Sequence, residues 1–147
     1  MKLSTKARYG TRALLDLAIH EGEGLISLKD IAARQQISQQ YLEQFMRPLI
    51  AAGLVRSTRG PKGGVSLGRH PADIKLSEVV QLLEGSNALV ECIDDPSTCS
   101  RSELCITRDV WDEVKRAMNG VLESITLKDL VERQKSKAPP QAAMYNI

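Results

Sequence analysis

Apolar residues recur at helical spacing through most of this chain. Leu3, Ala7, Leu14, Leu17 and Ala18 fall near one stripe of a helix over residues 4–21, with Ser4 or Thr5 to cap it and Gly22-Glu23-Gly24 to end it. Ser27 caps a second helix, Leu28 to Gln35, whose inward face is Leu28, Ile31 and Ala32. The small Ala32 lets a neighbouring helix cross closely, and Ile37 plugs the turn that follows. Ser38 caps a third helix that buries Leu42, Phe45 and Leu49 and turns Gln39, Gln40, Glu43, Gln44 and Arg47 to solvent. Pro48 removes one amide donor and crowds the turn before it, so a kink or a break is expected near Met46–Arg47.

After Gly53 the period changes. Leu54–Thr58 and Gly64–Leu67 read as two short strands, joined by Arg59–Gly63, where glycines are free to take positive φ and Pro61 stiffens the entry. Pro71 starts a new segment, and Ser77 begins or supports a helix through Val79, Val80, Leu82 and Leu83 that Gly85 stops. Residues 86–105 follow neither period, and such a stretch inside a small domain is usually functional or disordered. Then Val110, Trp111, Val114, Ala117, Met118, Val121, Leu122 and Ile125 make an apolar stripe on a long helix. Thr126 caps a last short helix, Leu127 to Gln134.

The pattern therefore predicts a mainly α fold with a small β-hairpin wing. Residues 1–84 form a winged helix-turn-helix domain, and residues 85–134 a cysteine loop and a dimerisation helix. The tail 135–147 holds two prolines and no pattern, and reads as disordered.

Composition adds detail. Aromatics are only 3% of 147 residues, so the core comes from Leu, Ile, Val and Ala, which favours packed helices over a large sandwich. The net charge of +2 hides an asymmetry: residues 1–70 hold 11 Lys/Arg against 5 Asp/Glu, and residues 71–147 hold 9 against 13. A basic amino-terminal half suits a polyanion, because each neutralised phosphate releases counterions. A merely solvated basic surface is the alternative. The apolar run 13–19 is interrupted by Asp16 and followed by His20, too short for the roughly 18–20 uncharged residues of a membrane span. The reading is a cytoplasmic protein with no membrane partner, whose three cysteines are reduced.

A helix-turn-helix sends the start of its second helix into the major groove, where amides and hydroxyls meet base edges. Ser38, Gln39, Gln40, Tyr41 and Gln44 stand there. Arg59, among glycines at the wing tip, suits a narrow minor groove of negative potential. Cys92, Cys99 and Cys105 are spaced by six and five residues, unlike the two to four of usual zinc pairs. Three readings stay open on spacing alone: an iron–sulfur centre, another metal or thiol redox role, and incidental cysteines. His20 and His70 lie far from the loop, so the nearby candidates for a fourth ligand are Asp94, Asp95, Glu103, Thr107 and Asp109. No catalytic constellation is present, and an enzyme is not expected.

The opening Met1 to Gly10, the run Ile37-Ser38-Gln39-Gln40-Tyr41-Leu42-Glu43-Gln44, and Gly53-Leu54-Val55 with Arg59-Gly60-Pro61-Lys62-Gly63-Gly64 resemble the winged-helix regulators that include IscR, NsrR and CymR. The resemblance spans about residues 1–134. It implies a homodimer held by the long helix on palindromic double-stranded promoter DNA, with Ser38, Gln40, Tyr41, Gln44 and Arg59 as contacts. Glu43 would act by discouraging sequences that set an acceptor against it. The cysteine loop resembles the cluster-bearing members, so the resemblance implies a [2Fe–2S] cluster on Cys92, Cys99 and Cys105 and iron–sulfur assembly proteins as further partners.

Where IscR has its histidine ligand, this chain has Arg108. Arg8 and Arg12 fill places where related sensors offer an acid and a histidine, and Pro48 departs from the IscR pattern. The leading expectation is a dimeric regulator that senses iron–sulfur status, redox or nitric oxide. Its alternatives are a clusterless regulator under thiol or protein control, and a small iron–sulfur electron carrier.

Overall fold

The computed structural model of the protein describes residues 2–137. The elements in order are α1 (Thr5–Ile19), α2 (Leu28–Gln35), α3 (Gln39–Ala51), β1 (Val55–Thr58), β2 (Gly64–Leu67), a 3-10 turn (Pro71–Asp73) and α4 (Leu76–Glu84). After them come the single-turn α5 (Glu91–Asp94), a second 3-10 turn (Pro96–Thr98), α6 (Ile106–Glu123) and α7 (Leu127–Lys137).

Serines open the first three helices. Ser4, Ser27 and Ser38 each accept, through Oγ, the amide three residues on, at 3.1 Å, which satisfies one of the donors a helix start leaves unpaired. α2 stops because Gln36 turns left-handed, with φ 57°, and the next amide, Ile37, reaches back to the Ala32 carbonyl at 3.0 Å. α3 stops at Gly53, with φ 77°: Gly53 bonds Ile50 and Leu54 bonds Leu49, both at 3.0 Å. That is the Schellman arrangement, and it buries Leu54 against Leu49.

Of the kink or break expected near Met46–Arg47, the break does not occur: α3 runs continuously from Gln39 to Ala51. One proline costs the helix a single amide bond, while Phe45, Met46 and Leu49 on either side of it are fully buried and hold the segment in place. Met46 joins the three core residues expected of this helix.

β1 and β2 pair antiparallel, from Val55 opposite Leu67 to Thr58 opposite Gly64. Ile26 adds one rung by exchanging bonds of 2.9 and 2.8 Å with Val65. A Cβ on Gly64 would lie 2.6 Å from the Ile26 carbonyl oxygen, so the close approach needs glycine.

One core unites Leu14 and Leu17 of α1, Ile31 of α2, Leu42, Phe45 and Leu49 of α3, Val65, Ile74, and Val79 and Leu83 of α4. Leu3, expected on the inner stripe of α1, is 48% exposed because it precedes the helix start. Leu127 of α7 is fully buried in this same core. The Leu76 amide bonds Ile125 at 2.9 Å and the Leu127 amide bonds Ile74 at 3.0 Å, which returns the chain to the core of α1–α4 after α6. Thr126 and Asp129 cap α7 reciprocally, at 3.2 and 2.9 Å. α7 continues three residues past Gln134, and the rest of the tail expected to be disordered, 138–147, lies outside the described residues.

α6 is different. Not one of its residues is buried, and Ile106, Val110, Trp111 and Val121 are exposed apolar side chains.

Candidate functional site: nucleic-acid interface and cysteine loop

At the start of α3, Ser38, Gln39, Gln40 and Gln44 are exposed, whereas Tyr41 and Glu43 are half-buried. Tyr41 is held by aromatic edges: its ring centroid lies 6.2 Å from Tyr9 and 5.5 Å from Phe45, both near perpendicular. Gln39 Nε2 donates to Glu43 Oε1 at 3.3 Å. A carboxylate can only accept, so this bond commits one amide hydrogen of Gln39 to its neighbour one turn on. Arg59 is exposed at the wing turn, which is closed by the Gly63 amide on the Gly60 carbonyl at 2.9 Å, with Gly60 at φ 116°.

The wing carries two further cations that no local motif singles out, Arg56 and Lys62. Both are exposed, and like Arg47 and Arg59 they form no ion pair among the described residues. Their alternation with small residues on a hairpin was the available signal. Exposed cations without ion-pair partners are suited to phosphates.

Beneath the reader, Asp16 of α1 is only 3% exposed and accepts a two-pronged bond from Arg34 of α2, at 2.9 and 2.6 Å. Burial pushes the Asp16 carboxyl up, but the Arg34 guanidinium and the Gln35 amide outweigh it and hold the group below the usual carboxylate range.

The three cysteines are all free. Cys92 lies on α5 and is half-buried, Cys99 follows the second 3-10 turn and is exposed, and Cys105 is the half-buried residue that opens α6. The segment is ordered by its own polar groups. Asp95 accepts from the Ser97 amide at 3.1 Å and hydroxyl at 2.6 Å, and the buried Ser102 donates to the Pro96 carbonyl at 2.9 Å. Lys115 reaches from α6 to Asp94 at 2.6 Å, and the Ser86 hydroxyl bonds the same carboxylate.

Arg108 Nε donates to the Cys92 carbonyl at 3.0 Å, which ties α6 to α5. Cys105 Sγ lies 3.2 Å from the Thr107 hydroxyl, and that hydroxyl together with the Arg108 amide draws the thiol below its ordinary range.

The donor chemistry, three thiols on one short loop, suits thiolate-bound iron. The geometry is less ready. Among the described residues no group of three or more His, Cys, Asp and Glu side chains is gathered as a metal site. Asp94 and Asp95 are engaged by Lys115 and Ser97, and Arg108 faces the Cys92 backbone, so none of these three stands free as a fourth ligand.

A serine-capped second helix laid over a supporting helix and followed by a glycine-bounded hairpin defines a winged helix-turn-helix, the architecture of DNA-binding transcription regulators. The chain belongs to the Rrf2 family, described as iron-dependent transcriptional regulators, which matches residues 3–133. It is 46% identical to the protein rrf2 of Nitratidesulfovibrio vulgaris, over 97% of this chain and 94% of that one. It is 42% identical to the HTH-type transcriptional regulator CymR of Bacillus subtilis, over 88% and 89% of the two chains. Among solved structures, T. potens IscR superposes with a TM-score of 0.79 at 42% identity, covering 99% of this chain and 96% of that one. The named regulators among these relatives agree with a protein that controls transcription and is not an enzyme.

Proposed function

We propose that the protein acts in the cytoplasm as a homodimer on promoter DNA and that the Cys92–Cys105 loop adjusts its affinity. The observation that carries the DNA reading is the set of exposed polar side chains at the start of α3, Ser38, Gln39, Gln40 and Gln44, beside a wing bearing Arg56, Arg59 and Lys62. Glutamine amides pair with adenine edges, and the cations hold the backbone. The dimer rests on α6: an 18-residue amphipathic helix with Val110, Trp111 and Val121 exposed needs an apolar partner, and a second α6 is one.

For the loop, the leading reading is a [2Fe–2S] cluster held by Cys92, Cys99 and Cys105, with its fourth ligand from outside the loop. Bound there, the cluster would supply a tie across the loop that oxidation, nitric oxide or loss of iron could break. It would also make iron–sulfur assembly proteins partners of the chain. The resemblance of the loop to cluster-bearing relatives supports this. A second reading, control by thiol oxidation without iron, is favoured by the free cysteines, Cys99 among them exposed, which are not gathered into a metal site among the described residues.

One experiment separates them. The protein is purified without oxygen, supplied with iron and sulfide, and measured by absorption and metal analysis, with DNA affinity followed in parallel. Bound iron with visible absorption supports the cluster. A colourless, iron-free protein whose DNA binding still responds to a thiol oxidant supports the thiol switch. Full DNA binding under every treatment by a triple Cys→Ser variant, matching the unmodified protein, would remove the loop from control.

A further inference from the structure

Arg12 sits on the exposed side of α1, and neither a ligand role nor a phosphate contact describes what it touches. Its Nε donates to Gln35 Oε1 at 3.0 Å and its Nη2 to the Gln35 carbonyl at 3.1 Å. Gln35 ends α2, so this carbonyl is one of those a helix leaves without an internal partner, and a cation there also meets the negative end of the helix dipole. The Gln35 amide in turn donates to Asp16 at 3.0 Å, beside the Arg34 fork on the same carboxylate. α1 therefore grips the last turn of α2 at two levels, Arg12 and Asp16, one helical turn apart.

The place of that grip matters. The residue after Gln35 is Gln36, the left-handed residue that turns the chain from α2 into α3, and Ser38 caps α3 two residues later. An uncertain last turn of α2 would become an uncertain direction for α3. The other side of the Arg12 guanidinium also leads to α3: its central carbon is 5.2 Å from the Tyr9 ring centroid, and Tyr9 meets Tyr41 edge-on at 6.2 Å. One side chain thus touches the end of the first reading helix and the aromatic group that leads to the second.

We propose that Arg12 is a positioning residue of the DNA reader, setting the angle at which α3 is presented by clamping the Gln35 end of α2 while stacked on Tyr9. This rests on the reading that α3 binds DNA. The guanidinium is required for its shape. A lysine brings one nitrogen in place of the two that meet the Gln35 oxygens and has no planar group to set over the Tyr9 ring, so Arg12→Lys keeps the charge and loses the fixed two-point fork. A phosphate contact behaves in the opposite way: lysine substitutes for it in part, and its removal lowers the slope of log affinity against log salt by about one.

The test uses the full chain and a duplex selected from a random pool by the unmodified protein, with an unrelated duplex of equal length beside it. Affinity is measured by fluorescence anisotropy across a salt series for Arg12→Ala, Arg12→Lys, Gln35→Ala and the Arg12→Ala/Gln35→Ala pair, with thermal melting to verify folding. Both Arg12 variants and Gln35→Ala are expected to weaken the selected duplex about three- to tenfold and the unrelated duplex less than about twofold, with the salt slope unchanged. The double variant is expected to lose less than the product of the two single losses, since both singles remove the same Nε–Oε1 bond. Losses that simply multiply would mean that the two side chains act independently and would overturn the clamp.

A salt slope lowered by about one, with rescue by lysine, would make Arg12 a phosphate contact and overturn the proposal. Unchanged affinity for the selected duplex would do the same. Arg59→Ala in the same assay keeps the two ideas apart: if it lowers affinity while Arg12→Ala does not, the DNA reading stands and only the positioning role falls.

Discussion

The carboxylate of Glu84, the last residue of α4, accepts the backbone amide of Ser4 at 3.1 and 3.3 Å. The first turn of α1 holds no acid of its own, although a helix start favours one, and Lys2 and Lys6 make the mismatch worse. α4 supplies the missing charge across 80 residues of sequence. The residue after Glu84 is Gly85, at φ 83°, where the chain leaves the reading domain for the cysteine loop.

Glu84→Gln keeps a hydrogen bond and loses the charge, so it should cost about 0.5–1 kcal/mol of stability. Glu84→Ala loses both and should cost about 1–2 kcal/mol. Urea unfolding at neutral pH measures the two. Equal stability in both variants would mean that the Ser4 amide is as well served by water.

Asp16 gives the protein a pH-dependent component. Its folded carboxyl lies below the usual range, so its contribution is fully present above the unfolded value of about 3.9 and is lost as the pH falls through the lower folded value. Asp16→Asn removes that component. The unmodified protein should exceed the variant by about 1–3 kcal/mol between pH 5 and pH 7. The half-open position of Arg34, which can rehydrate, keeps the loss below that of a sealed pair. Unfolding curves at pH 7, 5 and 3 should show the gap narrowing only in the last; a gap that persists at pH 3 would rule out this origin.

On DNA, Arg59→Ala should lower specific affinity by about 1–3 kcal/mol, the size of one groove contact. Gln44→Ala should relax discrimination at one base pair while leaving binding to unrelated DNA intact. Competition binding against a set of singly substituted duplexes reads both. Identical profiles for the two variants and the unmodified protein would place the contact surface elsewhere.

α6 carries the proposed dimer. Val121→Asp puts a charge near the carboxyl end of its exposed apolar stripe, on the face proposed to pair the two copies. Dimerisation should weaken by at least about tenfold, since an unpaired charge in an apolar contact costs more than about 1.4 kcal/mol. Sedimentation velocity measures it, and an unchanged dimer would mean that another face pairs the subunits.

Much of this was readable before any fold was in view. The serine caps of α1, α2 and α3 and the glycine stop of α3 stand where pattern and spacing put them, because each depends on neighbours three to five residues away, and the wing strands do so because a short glycine turn brings them together. At Pro48 local reasoning allowed a break that the helix does not make. Its cost is local, but the packing of Phe45, Met46 and Leu49 that overrides it is not. Residues 86–105 showed no period because their order comes from side chains meeting side chains, such as Asp95 with Ser97 and Asp94 with Lys115, and not from a repeated apolar face. Tyr41 looked like a surface residue of the recognition helix, and only the perpendicular rings of Tyr9 and Phe45 show that it is half packed inside.

The sequence by itself determined that this is a winged helix-turn-helix with a basic reading half, three cysteines on one loop and an amphipathic helix after it. Periodicity, caps and turn glycines act over one or two turns of chain, so they are legible without the fold. The tertiary structure alone decided that Leu127 closes the reading domain's core, that Glu84 completes the start of α1, and that Arg12 and Asp16 hold the end of α2. Each of these joins residues that local preference cannot relate. Burial of apolar surface brings them together first, and only then do their polar atoms find one another.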